Sequence, residues 1–298
     1  MESFLQNHPL ILMEAAVVEQ LRRHPAVNLH PELENALHIY DDSAVTILQE
    51  LYQSYLDVAI ESHLPFVLLT PTWRANKERI SKAGITTDVN TDNVRFIKNI
   101  IEKQSSDIPI KIGGLIGCKN DCYKPEEGLT AYEAEAFHNW QLTKLAKAGV
   151  NFLICETLPY VPEAIGIARA MKKQKVPFII SFVIDRTGCV LDGTPIAEAV
   201  AQLDQATNKA PLGYMINCAY PTFLCADQQP SSLFDRLIGI QANASSLDHC
   251  DLDNSKNIQL DDIEDWGKEM IRLNKQFGIK ILGGCCGTGR NHLEYLTY

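Results

Sequence analysis

Cys285 and Cys286 are adjacent in the sequence, and Cys218 is a third cysteine placed at the end of an apolar run. Three thiolates brought onto one ion make a soft donor set that suits zinc. Three protein ligands leave one tetrahedral position open, as in a catalytic rather than a structural zinc site. Gly283 and Gly284 precede the pair and would let the backbone turn tightly enough for neighbouring sulfurs to face one ion. The competing reading is three buried apolar thiols, the commoner fate of a cysteine taken singly. Other candidates are weaker. Cys118 and Cys122 form a C-x₃-C spacing without a matched second pair, and His249 stands beside Cys250 in a loop. Cys155, Cys189 and Cys225 read as packing or loop thiols.

The elements that must position such groups are readable as apolar, mostly β-branched runs alternating with helix-like stretches. The runs are Leu10–Met13, Phe66–Thr70, Ile110–Leu115, Phe152–Cys155, Phe178–Ile184, Tyr214–Cys218, Leu237–Ile240 and Lys280–Leu282. Several are apolar throughout, as strands buried on both faces are. Between them, Thr130 with Glu133 predicts a capping box and Gly149 the end of that helix. Thr194 and Pro195 predict an N-cap and first-turn proline, Pro162 opens a helix towards Lys175, and residues 42–61 have helical apolar spacing. Eight β-α repeats imply parallel strands. That count favours an α/β fold of the (β/α)₈ TIM-barrel type, possibly distorted, over an open doubly wound sheet. No G-x-G-x-x-G or Walker loop is present, and Gly113, Gly114 and Gly117 read as a turn device at a strand end.

In such a barrel the functional groups sit where strands give way to loops. Those positions are Glu14, residues 70–73 including Trp73, Gly117 and Cys118, Glu156 and Thr157, Asn217 and Cys218, Asn243, and residues 283–286. Two carboxylates and three cysteines therefore share one predicted rim.

The chain has 298 residues, with 27 Lys and Arg against 37 Asp and Glu, a net charge of −10. That balance argues against nucleic-acid and anionic-lipid partners. No apolar run approaches the roughly 18 residues of a membrane span, and the N-terminal segment lacks the basic start of a signal peptide. A cytoplasmic location is the expectation. There, nine cysteines serve as thiols, metal ligands or catalytic groups rather than as disulfides. The absence of a linker-like stretch predicts one domain over residues 1–298.

The stretch ILGGCCGTGRNHLEYL resembles the C-terminal motif of the zinc-dependent homocysteine S-methyltransferases. MINCAYP resembles their Asn-Cys motif, and FLICETLPYVPEA their Glu-Thr segment. Order and spacing agree along nearly the whole chain. The resemblance implies a distorted (β/α)₈ barrel and zinc on Cys218, Cys285 and Cys286 as the catalytic centre. It implies a substrate site that includes Glu14, Glu156, Thr157, Asn217 and Trp73, with Glu156 on the homocysteine amine. The implied reaction moves a methyl group from a cationic donor to the homocysteine thiol, forming methionine. The two small molecules are the only partners implied.

The chain departs from the family after the first strand. Met13-Glu14-Ala15-Ala16 replaces the usual Asp-Gly-Gly, and the alanines add Cβ atoms where amides approach the substrate carboxylate. The Gly117–Tyr123 segment and the Gln241–Ala244 segment also differ, which marks a divergent branch. Thr157 stands where the betaine-using branch has an aromatic residue. It points to a sulfonium donor, S-methylmethionine or S-adenosylmethionine, ahead of betaine. Trp73, Tyr123 and Tyr160 are the aromatics placed to meet a methyl cation. Two alternatives remain at this stage: a zinc-binding barrel with a binding or regulatory role and no catalysis, and an unrelated TIM-barrel enzyme with incidental cysteines.

Overall fold

A computed structural model describes residues 1–248 and 259–297; His249 and Cys250 lie outside the described residues. Eight parallel strands close on themselves in chain order: β1 (Ile11–Met13), β2 (Phe66–Leu69), β3 (Ile110–Gly117), β4 (Phe152–Leu158), β5 (Phe178–Phe182), β6 (Gly213–Ala219), β7 (Leu237–Ala242) and β8 (Ile281–Gly284). The closing seam pairs Ile11 with Ile281 and Leu12 with Leu282. That seam excludes the open-sheet alternative.

Side chains fill the lower barrel. Ile11, Met13, Val67, Leu69, Phe152, Ile154, Ile179, Met215 and Ile281 form one buried cluster there. Bulky neighbours require glycine between them. A Cβ at Gly113 would stand 2.5 Å from Leu69 Cδ2 and 2.7 Å from the Phe152 ring. Gly113, Gly114 and Gly117 therefore lie inside β3 and serve close packing, not the turn expected of them.

The helices follow their local signals. Asp41 caps Asp42–Glu61 by accepting from the Ser43 and Ala44 amides. Thr130 and Glu133 form the expected capping box of Ala131–Ala148, and Gly149 ends that helix at φ 82°. This helix buries Ala134, His138, Gln141, Leu142 and Leu145, a face of period near 3.6 residues in which each buried Leu contributes roughly 1.5–3 kcal/mol. The expected Thr194 cap is displaced by one residue: the helix Ile196–Thr207 has Pro195 at its N-cap position and no side-chain cap. The preceding segment folds back on itself, with the Val190 amide donating to the Thr194 carbonyl at 2.8 Å. Thr194 thus belongs to that hairpin.

Strands β3, β4, β7 and β8 run further towards the site than their apolar runs suggest. Their added residues include Glu156, Thr157, Gln241 and Gly284, whose polarity or small size interrupts the apolar pattern while the ladder continues. Among the described residues no helix is long and apolar enough to cross a membrane.

Candidate active site

The three cysteines predicted to converge do so: the Sγ atoms of Cys218, Cys285 and Cys286 lie within 4.8 Å of one another. Two strand ends bring them together. In β6 the register shifts between Asn217 and Ala219, and Cys218 at that bulge adopts φ 54°. After β8 the Cys285 amide donates to Ala242 at 2.7 Å, and the Cys286 carbonyl accepts from Ala244 at 2.9 Å. Thr288 closes the turn by donating its hydroxyl to the Cys285 carbonyl at 2.6 Å.

Gly283 and Gly284 act differently from the expectation. Both are ordinary β8 residues, and the left-handed turn residue is Gly287 at φ 82°. What they supply is room: a Cβ on Gly284 would stand 2.1 Å from Thr288 Oγ1, and one on Gly283 would stand 2.8 Å from the Glu14 carbonyl.

Within the cluster, hydrogen bonds from Cys218 and Cys285 hold the Cys286 sulfur well below the usual thiol range. The Cys285 thiol is raised by its hydrogen bonds with Cys218 and Cys286 and by burial. A group of mutually bonded sulfurs with one readily ionised member is a donor set that could hold a soft or borderline metal ion.

The cluster opens on a cavity of about 300 Å³. Glu14 and Glu156 line it, both at most 8% exposed. Glu14 Oε2 accepts from the Leu69 amide at 2.7 Å, leaving its other oxygen for the cavity. Burial raises Glu14 well above the carboxylate range, and the charge of Glu156 adds to the rise. Burial alone raises Glu156 to about 8. Glu156 Oε1 is buried without a hydrogen-bond partner, a costly state for a carboxyl oxygen unless a ligand supplies the donor.

Thr157 and Asn217 also line the cavity. Thr157 sits at the β4 bulge with φ 59°, a rare conformation for a β-branched residue. The Asn217 amide spans this bulge and the one at Cys218, with Nδ2 3.5 Å from Cys218 Sγ. Its Oδ1 also accepts from the Ser181 hydroxyl at 2.7 Å.

Trp73 and Tyr123 also line the cavity. The Arg74 guanidinium lies 4.0 Å from the centre of the Trp73 ring, so one face of the indole already holds a cation. Tyr160 does not line the cavity. Its ring packs on Gly128, where a Cβ would meet it at 2.3 Å. Cys118 also stands outside, its thiol 3.4 Å from the Asn120 carbonyl, whereas Cys122 reaches the cavity wall. Thr70, Thr72 and Asn243 support the rim from behind: the Thr72 hydroxyl bonds the Leu115 carbonyl at 2.6 Å, and the Asn243 carbonyl accepts from Trp266 at 2.9 Å. The Ala16 amide donates to Thr288 Oγ1 at 3.2 Å, so this loop is stitched to the turn that follows the cysteine pair.

Several site residues were not anticipated. Arg22, Glu34 and Arg74 stand along the cavity wall, and so does Gln241. A polar residue directly after the apolar run Leu237–Ile240 was the signal for Gln241. The loop carrying Asp121, Cys122 and Tyr123 is held by Glu163, which accepts from the Lys119 amide at 2.9 Å and the Leu129 amide at 3.2 Å. His138 Nε2 meets the same carboxylate at 3.1 Å, both side chains being 1% exposed. No sequence spacing announces that clamp.

Residues 11–297 match the family model for homocysteine S-methyltransferase. Homocysteine S-methyltransferase YbgG of Bacillus subtilis (strain 168) is 22% identical over 319 residues, covering 99% of this chain and 96% of that protein. The metallated form of homocysteine methyltransferase MmuM from Escherichia coli matches with a TM-score of 0.75 at 18% identity, covering 99% of this chain and 98% of that one. The apo form of the same protein matches with a TM-score of 0.64 at 19% identity, over 96% of this chain and 94% of that one. At these identities the structural likeness establishes the fold.

Proposed function

This chain belongs to the homocysteine S-methyltransferase family and is a methyltransferase acting on homocysteine, and from that premise we propose that it is a zinc enzyme using a sulfonium donor. Cys218, Cys285 and Cys286 would hold the zinc, consistent with their mutual approach within 4.8 Å. Bound there, zinc would favour the thiolate form of the acceptor sulfur at neutral pH.

The chain's own residues do the rest. Glu14 and Glu156 take the substrate ammonium, which relieves the unpartnered Glu156 oxygen. Asn217 fixes Thr157 and the Cys218 bulge, so the acceptor sulfur and the amine are held at a set separation. The walls formed by Trp73 and Tyr123 exclude water and align the donor for in-line attack, from which much of the rate derives. In the reaction the acceptor sulfur forms a bond to the methyl carbon. The donor's carbon–sulfur bond breaks, and its electron pair stays on sulfur, leaving a neutral thioether.

Support for a sulfonium over betaine comes from the aromatic inventory. A quaternary ammonium calls for several open aromatic faces. Here Thr157 is not aromatic, Tyr160 points elsewhere, and Arg74 covers one face of Trp73. The single observation that carries the proposal is the convergence of three sulfurs and an unpartnered buried carboxyl oxygen on one cavity. The test is methyl transfer to homocysteine by zinc-loaded protein from S-methylmethionine, S-adenosylmethionine and betaine in parallel. Turnover with betaine that exceeds both sulfonium donors would overturn the donor assignment.

A further inference from the structure

Gln241 stands on β7 in register with Asn217 of β6 and Gly283 of β8, and its side chain lines the cavity at 5% exposure. Gln241 Nε2 is 3.5 Å from the Glu14 carbonyl oxygen. That contact favours the orientation with the amide nitrogen towards the carbonyl, because the reverse would set two oxygens against each other. Gln241 Oε1 is buried and has no hydrogen-bond partner. The bare backbone of Gly283 makes room for this arrangement: a Cβ there would stand 3.1 Å from Gln241 Cγ. Gln241 and Glu156, each with a buried side-chain oxygen that has no partner, thus line one cavity. Glu14 lines it too, and its carboxyl is close enough to sense the charge of Glu156.

We propose that Gln241 Oε1 is the third acceptor of a seat for a primary ammonium, with the Glu14 and Glu156 carboxyls as the other two, and that this seat confines the acceptor to thiols bearing an unsubstituted amino group. The proposal rests on the homocysteine reading of the site and adds a specificity-determining residue to it. A primary ammonium carries three N–H donors, which three acceptors satisfy one for one. Each N-methyl group removes a donor and leaves a buried oxygen unpaired, which is how a polar site rejects an analogue. A neutral amide suits the third place. A third carboxylate would add like charge to a buried pair that already disfavours full ionisation.

The test compares three thiols: homocysteine, N-methylhomocysteine, and γ-mercaptobutyrate, which lacks the amino group. Gln241→Met preserves length and removes the acceptor. The expected result is a KM for homocysteine raised about 10- to 100-fold with kcat nearly unchanged, the loss of one hydrogen bond to a charged group. Its KM for γ-mercaptobutyrate stays at the wild-type value, and the preference for homocysteine over N-methylhomocysteine collapses. Calorimetric binding of the same thiols without donor gives a second readout, and Gln241→Met weakens homocysteine alone. An equal rise for homocysteine and γ-mercaptobutyrate, or no change for homocysteine, overturns the seat and leaves Gln241 as a prop for the Glu14 carbonyl. Wild-type protein that binds no homocysteine at all overturns the functional reading itself, and the seat with it.

Discussion

Asn217 and Thr157 are joined by two hydrogen bonds of opposite direction: the Thr157 amide donates to Asn217 Oδ1 at 2.8 Å, and Asn217 Nδ2 donates to Thr157 Oγ1 at 2.8 Å. The pair couples the bulge of β4 at Thr157 to the bulge of β6 at Cys218, both of which line the cavity. Thr157 and Cys218 both have positive φ, a conformation that costs of order 1–3 kcal/mol per residue and persists only where the surroundings enforce it. Asn217→Ala removes that enforcement. Zinc affinity, measured by chelator competition, is expected to fall about 10- to 100-fold, as for other residues that orient a metal ligand. Unaltered affinity would show that the bulges hold without it.

Cys285→Ala leaves two sulfurs where three are needed. Metal analysis of the purified protein is expected to drop from about one zinc per chain to nearly none, and methyl transfer is lost with it. A variant that kept its metal and its rate would refute the ligand assignment.

Glu156 gives the protein a distinctive pH response. Its folded carboxyl is raised to about 8 by burial, above its unfolded value near 4.5. The unfolded chain therefore releases this proton first, and stability falls as pH rises through the window between the two values. Glu156→Gln abolishes that part of the decline. Urea unfolding at a series of pH values should give a flatter profile for the variant, and parallel profiles would contradict the burial argument.

Glu163 clamps the loop that carries Tyr123 to the cavity. Its carboxyl lies below the usual range although burial pushes it up, because His138 and the Lys119 and Leu129 amides hold the charged form. Glu163→Ala leaves those donors unpaired, and a loss of about 3–5 kcal/mol in unfolding free energy is expected. Limited proteolysis should also cut first at Lys119 or Lys124 in the variant. Cleavage at the same rate as wild type would exclude the clamp.

Gly284→Ala places a methyl group on Thr288. Overpacking of this kind costs typically about 1–3 kcal/mol, visible as a lowered Tm. The turn that carries both cysteines shifts with it, so metal affinity should fall alongside.

The barrel was legible because its signal is repetitive: eight apolar runs recur at βα spacing, and each strand can be read locally. The cysteine triad and both carboxylates were legible because strand ends define a rim. The contact of Gln241 with the Glu14 carbonyl and the Glu163 clamp were hidden for a physical reason. Each joins residues distant in sequence, and one polar side chain has no periodicity to betray which partner it meets. Gly283 and Gly284 were found for the wrong cause, since sequence distinguishes poorly between a glycine needed for its φ and one needed for its missing Cβ. Tyr160 was misplaced by the same limit: its position in a rim loop did not reveal that its ring turns to Gly128.

The seam between β1 and β8 also sets an order of events during synthesis. Cys218 leaves the ribosome well before Cys285 and Cys286, and β8, made last of the eight strands, brings that pair to it while pairing with β1. A nascent chain therefore has no complete thiol cluster to offer an ion until the sheet can close. On the proposed ligand set, metal capture would wait on barrel closure, and a chain halted before β8 would have most of its strands without the complete cysteine cluster.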